Sequence, residues 1–155
     1  MNITTPSALQ GLRVIEMGQL IAGPFAGRTL GEFGADVIKI EAPGAGDPLR
    51  NWRMIKDGTS VWWQVQSRNK RSIALDLRSA EGQDIARKLI TEADVLIENF
   101  RPGTLEGWGM GYQALSSASS RRPMRMSIVP RYAARSIFAA ARARIACPIQ
   151  SAVTA

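Results

Sequence analysis

Apolar positions fall into short runs separated by glycine-rich turns. Leu12–Met17 (LRVIEM) follows the turn residue Gly11 and predicts a buried strand. Gly18–Gly27 (GQLIAGPFAG) predicts a glycine-spaced turn leading into a helix, with Pro24 suited to the first helical turn, where its missing N–H is not needed. That helix is expected to reach about Phe33, with Gly34 as a left-handed stop. Asp36–Glu41 (DVIKIE) reads as a second strand and Ala42–Asp47 (APGAGD) as a loop. Trp52, Trp62 and Trp63 then flank a turn at Lys56–Gly58.

Ser72–Leu77 (SIALDL) alternates as a strand does. Ser79–Glu92 predicts a helix, with Ser79 as N-cap and Ile85, Leu89 and Ile90 on one face. Asp94–Glu98 (DVLIE) is a further strand, and Asn99–Gly103 (NFRPG) the loop after it. Thr104–Leu115 predicts a helix weakened by Gly107, Gly109 and Gly111. Strands alternating with helices imply an α/β fold, a Rossmann-like, mostly parallel sheet with flanking helices and right-handed crossovers.

Charge divides the chain. All 13 acidic residues lie at or before Glu106, and 13 of the 20 basic residues precede Ser117. The remaining 7, all arginines, fall in residues 118–155, so the net +7 belongs to that stretch. The expected organisation is a folded unit at 1–117 and an Arg/Ala-rich tail at 118–155. The tail is expected to be irregular or partly helical, with Ala134, Ile137, Phe138, Ala141 and Ile145 along one helix side. The absence of histidine excludes Ser-His-Asp and Cys-His chemistry and His-based zinc sites. Cys147 has no partner for an internal disulfide, which favours a reducing compartment. The N-terminus lacks the basic and apolar regions of a secretory signal.

Three constellations carry candidate chemistry. In an open parallel sheet, ligands bind beyond the carboxyl ends of the strands, which points to the turn at Gly18–Gly23. Glu41 stands where a dinucleotide fold places its ribose-binding acid, yet Gly18, Gly23 and Gly27 do not make the G-x-G-x-x-G spacing. Arg68-Asn69-Lys70-Arg71-Ser72 can hold phosphates, pair with acidic neighbours or form a solvated turn. Glu98–Gly103 is a polar, aromatic and basic loop past a strand end, or simply a Pro-Gly turn.

In this order, EMGQLIAGPFAG, GADVIKIEAPGAGDPLR, SRNKRSIALDLR, ADVLIENFRPG and WGMGYQAL resemble the N-terminal part of class III CoA-transferases. That family is the CaiB/BaiF group, with formyl-CoA transferase and α-methylacyl-CoA racemase as relatives. The resemblance covers about Leu9 to Leu115. It implies transfer of CoA from an acyl-CoA to a carboxylic acid through an aspartyl intermediate, with coenzyme A or acyl-CoA as substrate and no metal. It also implies an interlocked homodimer. No apolar run is long enough to span a bilayer and the net charge lies outside the expected folded unit, so no membrane or nucleic acid partner is expected, and the expected location is cytoplasmic.

By the same resemblance, Gln19, Leu20, Ile21 and Ala22 line the thioester end of the CoA site. Leu75, Leu77 and Arg78 run along the nucleotide part, and Asn99 and Phe100 hold the pantetheine region. Gln19 stands where formyl-CoA transferase has a His, and Ala42 where it has an Arg beside the adenine. Gly107 falls where some members carry a phosphate-binding Arg. The family's catalytic aspartate lies further on, whereas no acidic residue follows Glu106 here, so no catalytic residue is assigned. The expectation is a truncated, catalytically incomplete copy whose residues 118–155 arise from a frameshift. Three alternatives stand beside it: a racemase-type fragment, a dinucleotide-binding oxidoreductase fragment, and nucleic-acid binding through the basic tail.

Overall fold

The computed structural model describes residues 6–118 and 124–127. Five parallel strands form its main sheet: β1 (Arg13–Glu16), β2 (Asp36–Glu41), β5 (Lys70–Ala74), β6 (Val95–Glu98) and β7 (Met124–Ser127). Their order across the sheet is β5-β2-β1-β6-β7. The chain thus winds outward from β1 in one direction, returns, and continues on the other side through β6. The reversal falls between β1 and β6, and in doubly wound sheets ligands bind beyond the carboxyl ends of the strands at such a point. Between β2 and β5 lie a 3-10 turn (Pro48–Asn51), a hairpin of β3 (Ile55–Lys56) and β4 (Thr59–Ser60), and helix α2 (Val61–Gln66). Helices α1 (Ala22–Glu32), α3 (Ala80–Thr91), α4 (Thr104–Gly107) and α5 (Tyr112–Ala118) complete the described fold.

Side-chain alternation gives the sheet two unlike faces. On one, Ile15, Met17, Ile40 and Leu96 meet Ala86 and Ile90 of α3 together with Leu105, Met110 and Leu115. On the other, Val14, Val37, Val95 and Ile97 form a smaller apolar cluster with Ala35, against which Ala26 and Leu30 of α1 pack. Toward the carboxyl end of that second face the residues turn charged: Glu16, Lys39 and Glu41 are all buried.

Several boundaries differ from the sequence expectation. The strand expected at Ser72–Leu77 starts at Lys70 and ends at Ala74, because Lys70 pairs with Val37 and Ala74 with Glu41 on the neighbouring strand. The single helix expected over Thr104–Leu115 is two, divided where Gly109 takes φ +65°. Trp62 and Trp63, expected beside a turn, lie in α2, whose N-cap Ser60 accepts a hydrogen bond from Trp63 N–H. Gly34 does take the left-handed conformation expected of a helix stop, φ +99°.

The tail, expected to be irregular or partly helical from residue 118, contains the strand β7, which pairs with β6 from Val95↔Met124 to Glu98↔Ser127. The physical reason is the outer edge of β6, whose backbone N–H and C=O groups need partners next to a buried core. The proposed tail helix around Ala134–Ile145 and Cys147 lie outside the described residues. Among the described residues, no helix is long and apolar enough to cross a membrane.

Candidate functional site

The site grows from one tight turn. Beyond β1 the chain folds back so closely that a Cβ on Gly18 would lie 2.6 Å from the Gly23 Cα, and one on Gly23 would lie 2.5 Å from the Gly18 Cα. Neither position admits a side chain. Between them, Leu20 takes φ +62°, a left-handed conformation that an L-residue with a branched side chain adopts at a cost. Such a conformation persists only where its surroundings over-determine it, and here three groups do so.

Asn99, just past β6, holds the turn from the side. Its Oδ1 accepts from Gln19 N–H at 2.8 Å and its Nδ2 donates to the Gln19 carbonyl at 2.9 Å, so one side-chain amide closes both backbone groups of Gln19. Asp47, in the loop after β2, holds the tip: its Oδ1 accepts from Leu20 N–H at 3.0 Å and from Leu49 N–H at 2.8 Å. Lys39, on β2, holds the base by donating to the Gly18 carbonyl at 2.7 Å.

Beneath the turn lies a buried ionic lattice. The Lys39 ammonium is 2.8 Å from Glu16 Oε1 and 2.8 Å from Asp47 Oδ2. Lys70 is 2.6 Å from Glu16 Oε2 and donates to the Pro24 carbonyl at 2.7 Å. Two carboxylates therefore meet two ammoniums with all four side chains almost fully buried, the arrangement that makes burial of charge tolerable. Burial pushes the Lys70 ammonium below its ordinary range, against the attraction of Glu16. Gly27 is part of this design, since a Cβ there would collide with Glu16 Oε2.

A second carboxylate site adjoins the first. Glu41 Oε1 accepts from Arg50 Nη2 at 2.9 Å and Ser72 Oγ at 2.5 Å, and its Oε2 accepts from Arg50 Nε at 2.7 Å and Asp47 N–H at 2.9 Å. Burial raises the Glu41 pKa, but the hydrogen bonds from Arg50, Ser72 and Asp47 N–H outweigh it and bring it from 4.5 to about 2. Glu41 pulls the Arg50 guanidinium upward in turn, and that guanidinium also stacks 3.9 Å from the Trp63 ring centroid. With both oxygens occupied and 6% of its surface exposed, Glu41 is unsuited to the ribose-binding role of a dinucleotide fold.

The expected site residues separate into two groups. Gln19, Leu20, Ile21 and Ala22 share the turn with Asn99, and Leu20 and Ile21 expose 40% and 41% of their surface at its mouth. Leu75, Leu77 and Phe100 instead pack against the apolar cluster under α3, with Phe100 set edge-on to Trp108 at 5.4 Å between ring centroids. Leu75 is buried, and Arg78 lies exposed in the next turn, its backbone N–H donating to Asp76 Oδ1. The basic run at residues 68–72 pairs with acids: Arg68 with Glu32, Lys70 with Glu16 and Arg71 with Asp36. Glu16, Lys39 and Asp47 escape a reading of the sequence. Their one signal is opposite charge at the ends of apolar strands that turn out to be neighbours.

Chemically the rim offers backbone polarity, an amide and apolar side chains, while the carboxylates Glu16, Asp47 and Glu41 each already hold a cation. The sequence profile of CoA-transferase family III matches residues 9–121. Succinyl-CoA--D-citramalate CoA-transferase of Chloroflexus aurantiacus is 51% identical over 111 residues, 71% of this chain and 28% of that protein. Formyl-CoA:oxalate CoA-transferase of Escherichia coli is 41% identical over 120 residues, 77% of this chain and 28% of its own length. The crystal structure of a CAIB/BAIF family protein from Brucella suis superposes with a TM-score of 0.72 at 38% identity, covering 79% of this chain and 33% of that one. The chain thus spans less than a third of the length of these relatives.

Proposed function

We propose that this chain, which belongs to CoA-transferase family III, binds coenzyme A or its acyl thioesters beyond the carboxyl ends of β1 and β6. The single observation that carries the proposal is the Gly18–Gly23 turn, locked by Asn99 through both backbone groups of Gln19 at the topological switch point of the sheet. Gln19, Leu20, Ile21 and Ala22 supply the thioester end, and Asn99 and Phe100 the pantetheine wall. Leu75, Leu77 and Arg78 supply the nucleotide side, Leu75 through its backbone because its side chain is committed to the core.

In the complete family framework this unit would serve transfer of CoA between an acyl-CoA and a carboxylate in a cytoplasmic homodimer. The relatives named for succinyl-CoA make a dicarboxylate thioester the first substrate class to try. We assign binding to residues 1–117 with β7 as an added edge strand, and treat the remainder of residues 118–155 as outside the binding unit.

Calorimetric titration tests this. CoA and succinyl-CoA are expected to bind with NAD giving no heat, and Asn99→Ala to weaken CoA by about tenfold, the scale of two hydrogen bonds. Binding of NAD in preference to CoA would contradict the proposal, as would an Asn99→Ala variant with unchanged affinity.

A further inference from the structure

Asp47 lies outside the turn, 27 residues from Leu20 in sequence, and belongs to no part of the rim assigned above. Yet its two carboxylate oxygens divide their work. Oδ1 accepts the N–H of Leu20, the residue in the left-handed conformation, and also the N–H of Leu49. Oδ2 faces the Lys39 ammonium at 2.8 Å. Lys39 in turn grips the Gly18 carbonyl and Glu16 Oε1. Asp47 is 2% exposed, and its own N–H is anchored to Glu41 Oε2. Its position is therefore set by the neighbouring strand and not by the turn it holds.

From this geometry we propose that Asp47 is a positioning residue for the CoA site. Through Leu20 N–H it maintains the left-handed tip of the Gly18–Gly23 turn. The inference rests on the reading of that turn as the CoA site. Strain at a non-glycine residue persists only under external constraint, and of the three constraints found, Asp47 alone contacts the strained residue. Releasing it lets the Leu20 peptide rotate toward the ordinary right-handed or extended regions. That rotation moves the exposed Leu20 and Ile21 side chains at the mouth. Asp47 acts through Leu20 and needs no contact with the ligand.

The test combines amide hydrogen exchange at Leu20, read by NMR, with CoA affinity, in wild type, Asp47→Ala and Asp47→Asn. Asp47→Asn keeps the Oδ1 acceptor and removes the charge that faces Lys39. The expected result is a protected Leu20 amide in wild type. In Asp47→Ala, exchange at Leu20 should be faster, and CoA affinity lower, by about tenfold each, with α3 amides unaffected. In Asp47→Asn, whose amide sets a donor against the Lys39 ammonium, Leu20 protection should stay within about threefold of wild type because the acceptor remains, and CoA affinity should follow Leu20 protection.

An unprotected Leu20 amide in wild type overturns the proposal, and so does undiminished protection in Asp47→Ala. Loosening of Leu20 with unchanged CoA affinity overturns it as well. If Asp47→Ala does not fold, Asp47→Asn decides. A tenfold loss of CoA affinity there, with Leu20 still protected, shows that the acceptor is not what matters. Wild-type protein that protects Leu20 but binds no CoA refutes the CoA reading itself, and is told apart from these results by the intact tether.

Discussion

On one face of the sheet, Ile15, Met17, Ile40 and Leu96 close against Ala86 and Ile90 of α3, and the buried Glu98 at the end of β6 is the one charge that alternation puts on the side of Leu96 in that strand. On the other, Glu16, Lys39, Lys70 and Asp47 are equally inaccessible, in a lattice that ends under the Gly18–Gly23 turn. The apolar face gains stability from area removed from water, without regard to direction. The ionic face gives up much of its attraction to desolvation, but its hydrogen bonds are directional and terminate on named backbone atoms, the Gly18 carbonyl and Leu20 N–H. The difference teaches that one face holds the fold and the other holds a conformation at the place where ligand is proposed to bind.

The largest expected effect breaks the ionic face. Lys39→Met leaves Glu16 and Asp47 facing each other without their shared cation, and should cost about 3–5 kcal/mol in urea unfolding; a loss below about 1 kcal/mol would mean the lattice is not tightly coupled. On the apolar face, Ile90→Ala should cost about 2–5 kcal/mol from lost burial and the cavity left behind. Ile90→Ala should leave exchange at the Leu20 amide relative to its neighbours unchanged, whereas Lys39→Met should not. If both variants loosen Leu20 alike, the two faces are not functionally distinct.

Acid sharpens the comparison. The Glu41 pKa falls from 4.5 to about 2 on folding, so its contribution is fully present above 4.5 and is lost as pH falls toward 2. A shift of that size is on the order of 3 kcal/mol. Glu41→Gln should therefore flatten the stability profile between those pH values, checked by denaturant titration at each pH, while Ile90→Ala should lower it without changing its shape. The smallest effects belong to the periphery. Ser79→Ala removes the cap on Gly82 N–H and should cost about 1 kcal/mol. Glu92→Ala breaks the exposed 3.5 Å pair with Arg13 and should change thermal stability barely at all, which separates surface pairs from the buried lattice.

This contrast also explains what the sequence made legible. Buried strands such as Val95–Glu98 and the capped, periodic helix Ala80–Thr91 follow from local pattern, because their neighbours are near in sequence or their burial is apolar. The Asn99 loop was legible as a loop just past a strand end, but its grip on both backbone groups of Gln19 was not. The lattice was not, because Glu16, Lys39, Asp47 and Lys70 meet only after β1, β2 and β5 pair, and a charge in an alternating strand ordinarily reads as solvent-facing. Helix Val61–Gln66 (VWWQVQ) is too short and too rich in aromatic and β-branched residues to declare itself by periodicity. Strand β7 was hidden by the change of composition around it.

The most direct test of the central claim is an NMR titration of the protein with CoA, mapping amide shifts residue by residue. The account predicts shifts concentrated at Gly18–Ala22, Leu75–Arg78 and Asn99–Phe100, beyond the carboxyl ends of the strands, with little change along the body of α3. Shifts clustered elsewhere, or none at saturating CoA, would contradict it.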